Sequence, residues 1–280
     1  MKVFITGIAG TLGTALTELH LSQGDEVYGC ARNEARNSQW KYRDKCGLLT
    51  CDAGELYPTV ISLVKTVDIV YHLSAMKHVD LCEKNPIEAW RQNVFITGQL
   101  AEMFREKLRF SSTDKACLPQ GVYGATKLTA ERIVIRTGGA VVRFGNLIGS
   151  SGSVLHLWKT AKDAGRKITL TDPQMTRYFI GVQDAAKFMA TQSVSGKVSV
   201  PDPMLSCKIG DMANSFGEVE ITGPRPGETR HQWLLAPGDH VIKDNGRIIL
   251  DNSGIECTSG MNSSSAERWK IQDLLLLMKI

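Results

Sequence analysis

Short apolar runs rich in β-branched and aromatic residues alternate, along the first half of the chain, with longer stretches of helical period. That alternation predicts βαβ units building a parallel sheet. The predicted strands are Lys2–Thr6, Glu26–Cys30, Asp68–Leu73, Leu108–Ser112 and Ala140–Phe144, whose near-continuous apolar character suits strands covered by helices on both faces. Helices fill the gaps, as over Leu12–Ser22 and Gly124–Arg136, and one around Gly98–Lys107 turns almost directly into the following strand. Beyond residue 150 the pattern decays into Gly, Ser and Pro punctuation with isolated strands at Lys197–Val200 and Arg247–Leu250. The fold class expected is α/β: a doubly wound parallel sheet over residues 1–150, then a smaller, irregular portion over 151–280. The second portion is expected over the carboxyl edge of the sheet, where such sheets take ligands, with some of its segments returning to the first domain.

Composition narrows the classes. Hydrophobic residues make up 42% of the 280 and charged ones 22%, which fits neither a disordered chain nor a membrane protein. The greasiest run, Leu274 to Met278, is too short to span a bilayer, and Met1 leads straight into a strand pattern without an export signal. The balance of 33 − 29 = +4 is spread without a basic run, so no nucleic-acid or membrane partner is expected, while an anionic small molecule is compatible. Seven cysteines, an odd and scattered set without a C-x-x-C pair, suggest neither a disulfide framework nor a zinc site, and a reducing, cytoplasmic location is expected. No metal is assigned, since His156 and His231 show no partner pattern.

The first strand ends in Thr6-Gly7-Ile8-Ala9-Gly10-Thr11-Leu12-Gly13. Three glycines at a strand-to-helix turn let backbone amides and a helix N-terminus hold a pyrophosphate, which makes Gly7, Ala9, Gly10, Thr11, Leu12 and Gly13 candidate cofactor contacts. The alternative is a turn that only packs the helix on the sheet. After the second strand, Arg32 and Asn33 stand where a carboxylate would usually meet an NAD ribose; a guanidinium there suits a 2′-phosphate, so NADP is the expected cofactor. A solvated surface arginine is the other reading. Asp52 stands where a carboxylate can accept from the adenine amino group, or where one merely caps a turn.

Ten residues past Thr113, at the end of a strand, comes Tyr123-Gly124-Ala125-Thr126-Lys127. Tyr and Lys four apart share a helix face, so the Lys127 ammonium is expected to lower the Tyr123 phenol and to hold a nicotinamide ribose. A tyrosinate so made is a general base for an alcohol whose carbon gives up hydride, with Thr113 beside it.

These residues carry a resemblance to the extended short-chain dehydrogenases/reductases, and within them to the inverting UDP-N-acetylglucosamine 4,6-dehydratases of pseudaminic-acid and capsule polysaccharide biosynthesis. The matching strings are Ala75-Met76-Lys77-His78-Val79, Asn85-Pro86-Ile87-Glu88-Ala89, Ser112-Thr113-Asp114-Lys115-Ala116 and Tyr123-Gly124-Ala125-Thr126-Lys127. Val142-Arg143-Phe144-Gly145-Asn146, Gly152-Ser153-Val154, Met175-Thr176-Arg177 and Arg225-Pro226-Gly227-Glu228 follow in family order. The resemblance implies a Rossmann-like NADP-binding domain that carries the catalytic residues, followed by a UDP-sugar-binding portion. It assigns Lys115 as the base for the C5 proton and Asp114 as the acid for the C6 hydroxyl, beside Thr113, Tyr123 and Lys127. Oxidation at C4, loss of water across C5–C6, return of hydride to C6 and protonation that inverts C5 would give a UDP-4-keto-6-deoxy-L-arabino-HexNAc. Both acid–base residues reach the sugar only if the strand has ended before them. Lys77, Asn146, Ser153, Val154, Arg177, Arg225 and Glu228 fall at substrate positions, with Lys77 and Asn93 also toward the cofactor; each alone could be a solvated side chain. His78 is expected to be packed or capping.

The resemblance also implies a homo-oligomer, dimer or hexamer, and a closing helix over Asn262–Leu277 whose apolar stripe comprises Trp269, Ile271, Leu274, Leu275 and Met278. Two rivals within the enzymes are a sugar-nucleotide 4-epimerase and an NADPH-dependent 4-keto reductase. Neither needs Asp114 and Lys115. An NADP-sensing regulator without chemistry is the rival from another class.

Overall fold

The computed structural model describes residues 1–55, 66–150, 153–191 and 193–277. Seventeen strands occur among them: β1 Lys2–Thr6, β2 Glu26–Ala31, β3 Gly47–Thr50, β4 Ile69–His72, β5 Leu108–Thr113, β6 Ala140–Phe144, β7 Asn146–Ile148, β8 Ile168–Leu170, β9 Thr176–Gly181, β10 Val198–Pro201, β11 Ser206–Lys208, β12 Val219–Ile221, β13 Trp233–Leu235, β14 Asp239–Asp244, β15 Arg247–Leu250, β16 Ile255–Cys257 and β17 Met261–Asn262. The main sheet runs β3-β2-β1-β4-β5-β6-β10, all parallel, and continues antiparallel through β15, β14 and β16. The order reverses between β1 and β4, the switch point at which doubly wound sheets open a crevice. This is the α/β architecture the alternation predicts. β10, β14, β15 and β16 from the second half complete the sheet of the first.

The sequence of β1 shows why the sheet is covered on both sides. Successive side chains point to opposite faces, and Val3, Phe4 and Ile5 are all fully buried. Val3 and Ile5 join Leu12 and Leu16 of the Thr11–Ser22 helix and Ala185 and Met189 of the Val182–Thr191 helix. Phe4 joins Leu100 of the Ile96–Phe104 helix and Val134 of the Val122–Arg136 helix on the other face. Each such side chain is worth about 1.5–3 kcal/mol in burial, enough to fix the strand between the two layers. A third cluster, centred on Trp158, Phe216 and Met212, gives the C-terminal half a core of its own beside the small sheet β11-β9-β7.

Most sequence-derived boundaries hold within one residue, and β1, β6 and β15 match at both ends. The closing helix does not. Only Ile271–Leu277 is helical, while Asn262 to Lys270 is a strand end followed by turns. The reason is local polar bonding: the Asn262 side chain accepts from Ser264 N–H, and buried Ser263 bonds Thr176 and Gln232. Trp269, Ile271 and Leu274 pack in the third cluster, whereas Met278 and the side chain of Leu275 lie outside the described residues. All seven cysteines are free, and none of the described helices is long and apolar enough to cross a membrane.

Candidate active site

A cavity of about 690 Å³ opens at the carboxyl ends of β1, β4, β5 and β6. It brings together the glycine turn, Arg32, Asn33, Asp52, Lys77, the Thr113–Lys115 segment, Tyr123, Lys127, Asn146, Ser153, Val154, Arg177, Arg225 and Glu228. One sequence-derived candidate is not on its wall. Asn93 is buried behind it, its amide donating to the Met76 carbonyl at 3.0 Å and to Thr126 Oγ1 at 3.1 Å while accepting from Met76 N–H at 2.8 Å. Those bonds hold the loop that carries Lys77.

The glycines are there for space. Gly7 has φ of +72°, which favours glycine, and a Cβ on Gly13 would stand 2.4 Å from the Gly7 carbonyl oxygen. The helix can therefore start hard against the strand. Gly10 is its N-cap and provides no side chain to cover the positive helix end. At the β2 end, Arg32 and Arg36 line the same wall, and the Arg36 charge joins desolvation in lowering Lys77. Asn37, also on the wall, keeps a buried Oδ1 without a hydrogen-bond partner. A backbone cradle, a cationic cluster and an orphaned acceptor fit a dinucleotide phosphate and its adenosine.

Asp52 lines the cleft and also caps the turn that follows it. Its Oδ1 accepts from Gly54 N–H at 2.9 Å, and Oδ2 from Gln92 at 3.1 Å with Arg32 at 3.5 Å. Burial works against its charge, but Gly54, Gln92, Arg32 and Arg91 together hold its pKa below the usual carboxylate range. Gln92 and Asn93 both leave from a π-helical turn, Arg91–Phe95, which lets neighbouring residues reach two separate loops.

At the other end of the cleft, β5 stops at Thr113 and a 3₁₀ turn takes over at Asp114–Ala116, so the strand has ended where the acid–base pair begins. Asp114 Oδ1 accepts from Thr113 Oγ1 at 2.9 Å and lies 3.0 Å from Lys115 Nζ. Its Oδ2 is buried with no hydrogen-bond partner, whereas the Lys115 side chain is 27% exposed. Tyr123 and Lys127 share the Val122–Arg136 helix. Lys127 Nζ donates to the Ser111 carbonyl at 2.7 Å and stands 3.9 Å above the Phe110 ring; burial lowers its pKa to about 7 against the opposing charge of Glu131. The expected lowering of the phenol by this ammonium does not occur. Burial pushes Tyr123 up, Asp114 and Cys82 add to it, and only the hydrogen bond with Thr113 pulls it down.

The substrate candidates are arranged less uniformly. Buried Arg177 spends its donors on the Thr176 and Arg230 carbonyls, at 2.9 and 3.0 Å, and on Met175 Sδ. Asn146 donates to the Tyr178 carbonyl at 3.0 Å. Ser153 is the N-cap of the Val154–Asp163 helix, accepting from His156 N–H at 3.3 Å. Glu228 folds back on Arg225 N–H at 3.1 Å within its own turn. His78 is neither packed nor a side-chain cap; it is exposed at the N-cap position of the Val79–Lys84 helix. Among the described residues no cluster fit for a metal ion occurs. The sequence reading missed Arg36, Asn37 and Gln92; the Arg32–Arg36 spacing of one helical turn was the signal available for the first.

Among solved structures, Pen from Bacillus thuringiensis is similar over 99% of this chain and 97% of its own, with a TM-score of 0.88 and 25% identity. Among curated sequences, the chain is 37% identical over 266 residues to the uncharacterized membrane protein MJ1061 of Methanocaldococcus jannaschii, covering 83% of this chain and 80% of that one. It is 29% identical over 262 residues to the UDP-N-acetylglucosamine 4,6-dehydratase (inverting) of Campylobacter jejuni, covering 85% and 78%. Residues 3–250 match the family described as polysaccharide biosynthesis protein, and with the doubly wound sheet and the Tyr123–Lys127 helix already in place, the chain belongs to that family within the extended short-chain dehydrogenases/reductases.

Proposed function

We propose that this chain is an NADP-dependent UDP-N-acetylglucosamine 4,6-dehydratase that inverts C5. The observation that carries the reading is the Asp114–Lys115 pair, 3.0 Å apart at the end of β5 and on the same cleft as Tyr123. Oxidation of one sugar carbon needs a tyrosine base and a nicotinamide; only elimination needs a further base and acid. A nicotinamide dinucleotide held by the glycine turn, Arg32 and Arg36 supplies the site that takes and gives back hydride. Arg32 with Arg36 supports a 2′-phosphate, and hence NADP, at that end.

Tyr123 takes the proton of the C4 hydroxyl, with Thr113 sharing that hydroxyl. Burial pushes that phenol up in the free chain. The C4 ketone acidifies the neighbouring C–H, so Lys115 Nζ can remove the C5 proton. Asp114 gives a proton to the C6 hydroxyl, which departs as water; its buried Oδ2, left without a protein hydrogen-bond partner, is free to meet that hydroxyl. Arg177, Arg225 and Glu228 line the same cleft; in this reading the two arginines take the diphosphate and Glu228 the nucleoside ribose. The exposed Ile87 and the half-exposed Trp90 and Phe95, whose rings stack at 5.8 Å, flank the Tyr123 helix and support a homo-oligomer.

The test is direct. Incubation with UDP-N-acetylglucosamine and catalytic NADP is expected to give a 4-keto-6-deoxy product with no net change in NADPH. A C4 epimer, or product only as NADPH is consumed, contradicts the reading.

A further inference from the structure

The helix that carries Tyr123 begins without a cap of its own. Gly121 is its N-cap and makes no side-chain bond, yet the first turn of a helix holds unsatisfied N–H groups and a positive dipole end. The missing acceptor comes from 39 residues earlier: Glu83 Oε1, on the Val79–Lys84 helix, accepts from Val122 N–H at 2.6 Å. The same oxygen faces a third segment. A Cβ on Gly121 would stand 2.5 Å from it, and a Cβ on Gly227 2.9 Å.

Gly227 lies in the turn Arg225-Pro226-Gly227-Glu228. That turn is closed by Glu228 N–H donating to the Arg225 carbonyl at 3.1 Å, with Pro at its second position and φ of +76° at Gly227, the pattern of a type II turn. Its bare Cα is packed where the carboxylate enters, beside Val79 Cγ1. One side chain therefore joins the Val79–Lys84 helix, the first turn of the Tyr123 helix and the turn whose Arg225 and Glu228 line the cleft.

We propose that Glu83 is a positioning residue that docks the Arg225–Glu228 turn on the Tyr123 helix, so that the grip on the nucleotide end and the proton-transfer end of the cleft hold one geometry. This rests on the reading of Arg225 and Glu228 as contacts to a nucleoside diphosphate. Glu83 touches no reacting atom in the proposal; it acts through Gly227 and Val122.

The test uses UDP alone as the probe, titrated by calorimetry, together with turnover of UDP-N-acetylglucosamine and a separate NADPH titration. Glu83→Ala is expected to weaken UDP binding about tenfold and lower kcat/KM by more, with NADPH affinity unchanged. Glu83→Gln keeps an acceptor for Val122 N–H and is expected to recover much of the loss. Gly227→Ala should also weaken UDP. Combined with Glu83→Ala its effect should be clearly less than the product of the two, because both break one contact. If Glu83→Ala does not fold, Glu83→Asp, whose shorter carboxylate draws back from Val122 N–H and Gly227, takes its place in the comparison. Unchanged UDP affinity in folded Glu83→Ala or Glu83→Asp, or strictly multiplicative effects, overturns the proposal, as does wild-type protein that does not bind UDP. Wild-type protein that binds UDP but does not dehydrate the sugar overturns the dehydratase reading instead, and leaves the UDP comparison to decide on Glu83.

Discussion

Asp114 and Lys115 are sequence neighbours that meet head to head: Nζ lies 3.0 Å from Oδ1, while the second carboxyl oxygen is buried and unpaired. Neighbours in a strand diverge; these converge because β5 gives way to a 3₁₀ turn between Thr113 and Asp114. Lys115→Ala and Asp114→Asn are each expected to lower dehydration about 10²–10⁴-fold, the range of a lost general acid or base. NADPH titration should be unaltered in both.

Lys127 sets a pH limit. Burial brings its pKa to about 7, so its charge is present below that pH and lost above it. kcat/KM, which reports the free enzyme, is expected to fall as pH rises through about 7. Glu131 opposes the lowering, so Glu131→Gln should move the fall to lower pH; a shift upward would contradict the electrostatic account.

Glu131 also anchors the helix to the second half of the chain. Arg143 donates to both its oxygens, at 2.9 and 2.7 Å, and to the Leu234 carbonyl at 3.0 Å, all buried. Removing one partner strands a buried charge, so Arg143→Ala is expected to cost about 3–5 kcal/mol in a denaturant titration.

At the cofactor end, Arg32→Ala should weaken NADP by about 1.5–3 kcal/mol, roughly ten- to a hundredfold, the worth of a charge-assisted hydrogen bond. NAD binding should change little in the same fluorescence titration. Equal loss for both dinucleotides would remove the 2′-phosphate from Arg32.

Gly13→Ala separates packing from binding. Its Cβ would meet the Gly7 and Ile8 carbonyl oxygens at 2.4 and 2.5 Å, so a loss of about 1–3 kcal/mol in thermal stability is expected from overpacking.

The sheet was legible because strands such as β1 and β6 carry apolar residues on both faces, and the glycine turn because its spacing has a steric cause. Local spacing and family strings single out Tyr123, Lys127, Asp114 and Lys115, which the fold brings to one cleft. What escaped depends on distant partners. The bonds of Asn93 to the Met76 backbone, behind the cleft wall, join residues 17 apart in sequence. Glu83 reads as one more carboxylate on a short helix until the chain brings Val122 and Gly227 to it. The closing helix was misjudged because an apolar stripe says nothing of Ser263, whose buried hydroxyl holds the backbone in turns.

In the proposed mechanism Lys115 moves the C5 proton. UDP-N-acetylglucosamine incubated in heavy water with wild-type protein and followed by NMR is expected to yield a 4-keto-6-deoxy sugar carrying deuterium at C5. The Lys115→Ala protein, with NADP still bound, should leave C5 unlabelled and form no product. Product without deuterium at C5, or undiminished labelling by Lys115→Ala, would contradict the account.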